Sequence, residues 1–188
     1  KSLLSHNKHG LDIRYADTVL SKISVENKAK LVDEDVDTPT LNGAEVLSAS
    51  SIIPILSSAH KISEYIEQGE FIKEEPFEKG EQEYRLLHFA LPLESFIDDK
   101  KIRGYVSKFE GSYGVVIDNN GVPVETRMSY AGKGSAYIFF SLSAKSEIIS
   151  TFQVNGSRLI QTNRTVASNS SSTFNDRTYS SSWQLTVN

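Results

Sequence analysis

The residues of this chain that could carry chemistry are four histidines, a run of glutamates and two glycine-flanked polar stretches. His6 and His9 stand at an i, i+3 spacing, so on a helix both imidazoles would share one face and offer two ligands to zinc or copper. Two ligands do not make a site, and no Asp or Glu stands at the spacing that completes the helical zinc motif. The pair reads as two solvated histidines near a terminus, and His60 and His88 read as residues at the boundary of a core. Gly111, Ser112, Tyr113 and Gly114 set a serine between glycines, but not in the Gly-x-Ser-x-Gly turn that lifts a nucleophile clear of a sheet. A loop entering a strand at Tyr113 is expected there. Gly132, Lys133, Gly134 and Ser135 have the composition of a phosphate loop, which needs a helix N-terminus behind it to present backbone N–H groups. The next residues are instead Ala136, Tyr137, Ile138, Phe139 and Phe140, a strand-forming run, so a hairpin turn is expected. Glu74, Glu75, Glu78, Glu81 and Glu83 are dense enough to hold a general acid and base. They sit among Gly and Pro with few apolar neighbours, the setting of a solvated acidic loop rather than of a cleft that shifts pKa values. Asp98, Asp99, Lys100 and Lys101 read as an exposed turn. Asn155, Asn163 and Asn169 each open an N-glycosylation sequon, in a segment so rich in Ser and Thr that such matches arise by chance. No catalytic, cofactor-binding or metal-binding residue is assigned, no cofactor is expected, and the chain is read as not an enzyme.

The elements that would position such residues are set by composition and period. With 188 residues, 38% of them hydrophobic and 10% aromatic, the chain can bury a core, and one domain spanning residues 1–188 is expected. The absence of cysteine excludes disulfides, thiolate metal sites and a cysteine nucleophile. No run approaches the roughly 18 to 20 apolar residues of a membrane span, and no charged-then-apolar leader opens the chain at Lys1, so the chain itself is expected to be soluble. A net charge of −4 argues against nucleic acid as a partner. Charge is graded along the chain: residues 1 to 30 carry six Lys or Arg against three Asp or Glu, whereas residues 61 to 100 carry five against eleven. From 141 to 188, Ser and Thr fill 18 of 48 positions, a composition that suits solvated strands and long turns.

From residue 3 to 23, Leu4, Leu11, Tyr15, Val19 and Ile23 fall mostly at multiples of three to four residues, which predicts a helix. Residues 32 to 41 read as an acidic connector. Asn42 then stands as an N-cap with Glu45 three residues on, predicting a second helix whose apolar face uses Val46, Leu47, Ile53 and Leu56. Pro54 makes this either one kinked helix to about Ile66 or two short ones meeting near Ser50 and Ser51. Beyond Gly69 the period falls toward two. Strands are predicted over residues 84–91, 104–109, 113–117, 122–128, 136–142, 148–154, 157–166 and 183–187. Asp118 to Gly121 and Asn155-Gly156 mark hairpin turns, and residues 167 to 182 read as an exposed loop. The fold class expected is α+β, N-terminal helices followed by a mostly antiparallel β-sheet, with a helical part over residues 1–67 and a sheet part over residues 84–188.

One phrase resembles a known family. Thr38, Pro39, Thr40, Leu41, Asn42, Gly43, Ala44, Glu45, Val46, Leu47, Ser48 and Ala49 are similar to the start of the second helix in Gram-positive, type IV pilin-like, single-pass surface proteins. In that family a β-branched residue and a hydroxyl usually stand where Leu41 and Asn42 stand here. The resemblance implies a layout and no functional residue: a membrane helix, lying before Lys1, then a polar link and a second helix. The expected function is a non-enzymatic, extracytoplasmic, membrane-anchored or cell-surface subunit acting through assembly or adhesion contacts. Its partners would be proteins, self-assembly among the modes, with the membrane reached through a segment outside this chain. The alternative is a PAS-like extracytoplasmic ligand-binding sensor domain of a membrane receptor, which would need a concave pocket with a few convergent polar groups.

Overall fold

The structure is a computed structural model that describes residues 2–7, 10–45, 49–136 and 140–187. Its contacts divide the chain into two compact units, Lys1–Pro54 and Ile55–Asn188.

In the first unit an antiparallel hairpin, β1 (Ser2–Asn7) and β2 (Gly10–Tyr15), precedes helix α1 (Asp17–Val32). This corrects the single helix expected over residues 3 to 23, and with it the wholly helical reading of residues 1–67. Leu11, Ile13 and Tyr15 also alternate at period two, and Gly10, a poor helix residue, opens β2 opposite Asn7. Helical spacing governs only from Asp17 onward, where Val19, Ile23, Glu26 and Ala29 lie half-buried along one face of α1. Helix α2 (Pro39–Glu45) starts before the expected cap. The fixed φ of Pro39 suits a first helical position. The Asn42 N–H donates to the Thr38 carbonyl at 2.9 Å, and the Thr38 hydroxyl donates to Asn42 Oδ1 at 3.2 Å, so Asn42 is an interior residue and not an N-cap. The Leu41 N–H donates to the Glu26 carboxylate at 2.7 Å and ties α2 to α1. Helix α3 (Ala49–Leu56) contains Pro54; among its described side chains Ile52 is buried, whereas Ile53, expected inward, is exposed. Val46 and Leu47 lie outside the described residues.

The second unit opens with helix α4 (Ala59–Gln68), reached through a turn at Ser57 and Ser58 rather than at Ser50 and Ser51. Seven strands come after it: β3 (Glu70–Lys79), β4 (Gln82–Ala90), β5 (Val106–Ile117), β6 (Pro123–Ala136), β7 (Phe140–Asn155), β8 (Arg158–Ser172) and β9 (Asp176–Gln184). They form one antiparallel sheet in chain order, so the α+β class and the antiparallel sheet are both present. Between β4 and β5 lie a 3-10 turn (Leu93–Ser95) and the short helix α5 (Lys100–Arg103), capped by Asp99 Oδ1, which accepts from the Lys101 and Ile102 N–H groups. Both expected hairpin turns occur, with Gly121 at φ 82° and Gly156 at φ 59°.

Four expectations fail in the sheet. The acidic stretch is not a loop: Glu74, Glu75 and Glu78 belong to β3, an edge strand whose outer side faces water and so tolerates charge and Pro76. Gly132 to Ser135 is not a turn but the interior of β6, where glycine answers close approach: a Cβ on Gly134 would lie 2.5 Å from the Tyr105 carbonyl oxygen. Gly111 and Ser112 are likewise inside β5, which runs unbroken through the two strands predicted there. Residues 167 to 182 are not a loop, because β8 extends to Ser172 and β9 begins at Asp176. The ladder satisfies the backbone groups of β8 on both sides and those of β9 that face β8, while the outer edge of β9 is exposed to water, so these strands need no apolar face.

The core gathers on the inner face of the sheet. Ile62 of α4 packs with Phe89, Leu91, Tyr113, Val115, Ile117, Met128 and Leu159, with Tyr65 and Ile66 at the margin. Burial pushes the Tyr113 hydroxyl well above the usual tyrosine range, against the opposing effect of its hydrogen bond with Thr126. Cover thins along the long strands. Every residue from Asp176 to Ser180 is exposed, and Tyr179 keeps 59% of its surface in water.

Candidate functional site

Two polar constellations lie on the outer face, at opposite ends of the sheet. The first is built on β3, β4 and β6. Lys79 Nζ donates to Glu125 Oε2 at 2.6 Å and Arg127 Nε donates to Glu125 Oε1 at 2.7 Å, with the Arg127 guanidinium 4.7 Å from the centre of the Phe77 ring. In a flat sheet β3 and β6 would stand roughly 14 Å apart, at about 4.8 Å per strand. Lys79 and Phe77 reach β6 only because the β3–β4 end of the sheet bends over its own outer face. Val116, at 0% exposure, and Leu86 lie buried on that face. Burial pushes the Glu125 carboxyl up, but the hydrogen bonds from Lys79 and Arg127 outweigh it and hold the group below the ordinary glutamate value. Both oxygens of Glu125 are engaged, so the arrangement works as a cross-brace. Beside it, His88 Nε2 lies 2.8 Å from Glu75 Oε1, and Lys73 bonds the other oxygen of Glu75. Hydrogen bonds from Lys73 and then His88 lower the Glu75 carboxyl.

The second constellation lies where strand register aligns side chains across five strands. Lys108, Lys133, Ser143, Ser171 and Asp176 form one transverse row, and Glu110, Ala131, Lys145, Asn169 and Thr178 form the next but one, on the same face. They line an open groove of about 430 Å³. Lys108 and Lys133 stand directly opposite each other, a like-charge pairing that weakens a sheet. Lys108 has Glu110 at 3.4 Å as a weak partner, both side chains lying largely in water. The groove offers ammonium donors, hydroxyls and one carboxamide side by side, a surface for many weak polar contacts rather than for bond breaking.

The residues singled out from sequence do not converge. His60 is exposed on α4, His88 is held by Glu75, His6 lies in β1 and His9 is outside the described residues. Ser112 and Ser129 share a hydroxyl–hydroxyl bond of 2.8 Å on the outer face. Lys133 of the glycine-flanked stretch does enter the groove. Asn155 sits at its hairpin, and Asn163 and Asn169 lie within β8. Among the described residues no group of three or more His, Asp or Glu side chains could hold a metal ion, and no helix is long and apolar enough to cross a membrane. Sequence reasoning missed the groove and the Glu125 brace. Alternation of Lys133, Lys145 and Glu125 with small or apolar neighbours was the available signal, but strand register alone brings them together. The chain matches no protein-family model, no curated protein and no solved structure.

Proposed function

We propose that this protein is a non-enzymatic, extracytoplasmic surface or pilin-like subunit that acts through assembly or adhesion contacts of its sheet, with a membrane anchor in a segment outside this chain. One observation carries the reading: strands β8 and β9 run on past the apolar core with Ser, Thr and Asn in place of a buried face. Long polar strands cost conformational entropy to order and bury little apolar area in return. Their use is a broad, rigid contact surface. The similarity of residues 38 to 49 to pilin-like surface proteins supports the same reading. Surface display of the full-length product, measured by protease shaving of intact cells, is the expected result. Lys133→Glu combined with Lys145→Glu should then lower adhesion or assembly at unchanged melting temperature. Retention inside the cell, or full adhesion and assembly by the double variant, would sink the proposal.

The sensor reading has one observation in its favour, the size of the groove at Lys108, Lys133 and Lys145, which falls in the range of small-molecule sites. A rise in melting temperature with a small dicarboxylate or phosphate, abolished by Lys133→Glu, would favour that alternative.

A further inference from the structure

The two edges of the seven-stranded sheet are built differently. Edge β3 carries Pro76, which has no N–H to offer, and its pairing with β4 is broken between Phe71 and Lys73. It also holds Glu70, Glu74, Glu75 and Glu78, so pairing it antiparallel with another copy would set carboxylates against one another. These are devices that keep an edge from recruiting strands. Edge β9 has none of them. Its pairing with β8 is unbroken from Ser171↔Asp176 to Asn163↔Gln184, and it contains no proline.

Hydrogen-bond phase decides which backbone groups β9 presents. The Ser172 N–H donates to the Asn175 carbonyl at 2.8 Å and the Leu185 N–H donates to the Thr162 carbonyl at 2.7 Å. Inward bonding alternates along an antiparallel ladder, so Arg177, Tyr179, Ser181 and Trp183 point their backbone groups at β8. Thr178, Ser180 and Ser182, with Asp176 and Gln184 at the ends, point theirs away from the sheet, and all five are exposed. Among the described residues β9 pairs with β8 alone.

We infer that β9 is an assembly edge that pairs antiparallel with β9 of a second copy of this chain, about a two-fold axis at Ser180. The inference deepens the assembly reading above and rests on it. The sequence of β9 is self-complementary in this register. Ser180 meets Ser180 and Thr178 meets Ser182, each as a hydrogen-bonded pair through the outward backbone groups. Asp176 meets Gln184, an acceptor against a donor. Arg177 meets Trp183 in the close, non-hydrogen-bonded position, where a guanidinium can lie over an indole face. No like charges oppose each other, in contrast to β3, and the two sheets join into one continuous ladder.

The chain contains no cysteine, so single cysteines report the register without background. Opposed hydrogen-bonded residues stand about 5.5 Å apart at Cα, within disulfide reach. Under mild oxidation Ser180→Cys should cross-link to itself, and Thr178→Cys should cross-link with Ser182→Cys far more than with itself. Ser157→Cys, in the β7–β8 hairpin, is the control. Proline at 180 removes only an outward N–H, so Ser180→Pro should weaken dimerisation at least about tenfold in sedimentation while melting at the temperature of the monomer. Monomeric wild-type protein at high concentration, or a dimer in which Ser180→Cys links no better than the control, overturns the inference. If that protein still reaches the cell surface and adheres, only the β9 edge has failed. A β9-linked dimer retained inside the cell instead leaves this inference standing and removes the surface reading.

Discussion

The near half of the sheet, β3 to β6, and the far half, β7 to β9, use the same backbone ladder for opposite ends. Strands β4 to β6 bury Phe89, Tyr113, Val115 and Met128 under α4 on one face and Val116 and Leu86 on the other. Past the Leu159 contact, β8 and β9 hold few buried residues and expose Ser, Thr and Asn. The comparison separates two sources of order. Apolar burial supplies stability where the sheet is covered, and the ladder satisfies the backbone where it is not.

The largest effect should come from the covered half. Val115→Asp places a charge in a site that is 1% exposed, and a loss of roughly 4 kcal/mol or more should abolish cooperative unfolding of the second unit. A Val115→Asp protein with a normal calorimetric transition would remove the near half as the source of stability. Next is the brace. Glu125→Gln keeps the shape but loses the charge, and should cost roughly 1 to 3 kcal/mol at pH 7 by denaturant titration. Because the folded pKa of Glu125 is lowered, its contribution is complete above the ordinary glutamate value, about 4.3, and is lost as pH falls through the lowered value. Wild type and Glu125→Gln should therefore converge in stability as the pH is lowered, and a constant gap between them would refute the brace.

Smaller effects test whether the halves share local rules. Gly121→Ala in the β5–β6 turn and Gly156→Ala in the β7–β8 turn both force a side chain into positive φ, so each should cost roughly 1 kcal/mol. A cost confined to Gly121 would mean that the far hairpin is not held in its turn. The smallest effect should be Thr178→Ala on the outer face of β9, within about 0.5 kcal/mol in the monomer. A larger loss would show that the far half is packed after all.

Much of the architecture was legible in sequence because its signals are local. Asn120-Gly121 and Asn155-Gly156 specify turns through residues that tolerate positive φ, and alternation in residues 84–91 and 148–154 specifies strands. Trp183, Leu185 and Val187 are half-buried and Gln184 and Thr186 exposed, but β9 ends at Gln184, so the strand predicted over residues 183–187 is present only at its first two residues. The α+β order of helices before an antiparallel sheet is set by where the period changes. What only tertiary structure decided is which partner each strand finds and which face each polar residue joins. Leu11 and Tyr15 satisfy both a helical and a strand period, and the choice fell to pairing between β1 and β2. Residues 167 to 182 and the glutamates of β3 lack apolar periodicity, so only a neighbouring strand could order them. Glu125 meets Lys79 across 46 positions because the sheet bends, and Lys108, Lys133 and Lys145 share a groove because register aligned them. A hydrogen-bond ladder acts between strands whatever their side chains, so its consequences are written in register and not in composition.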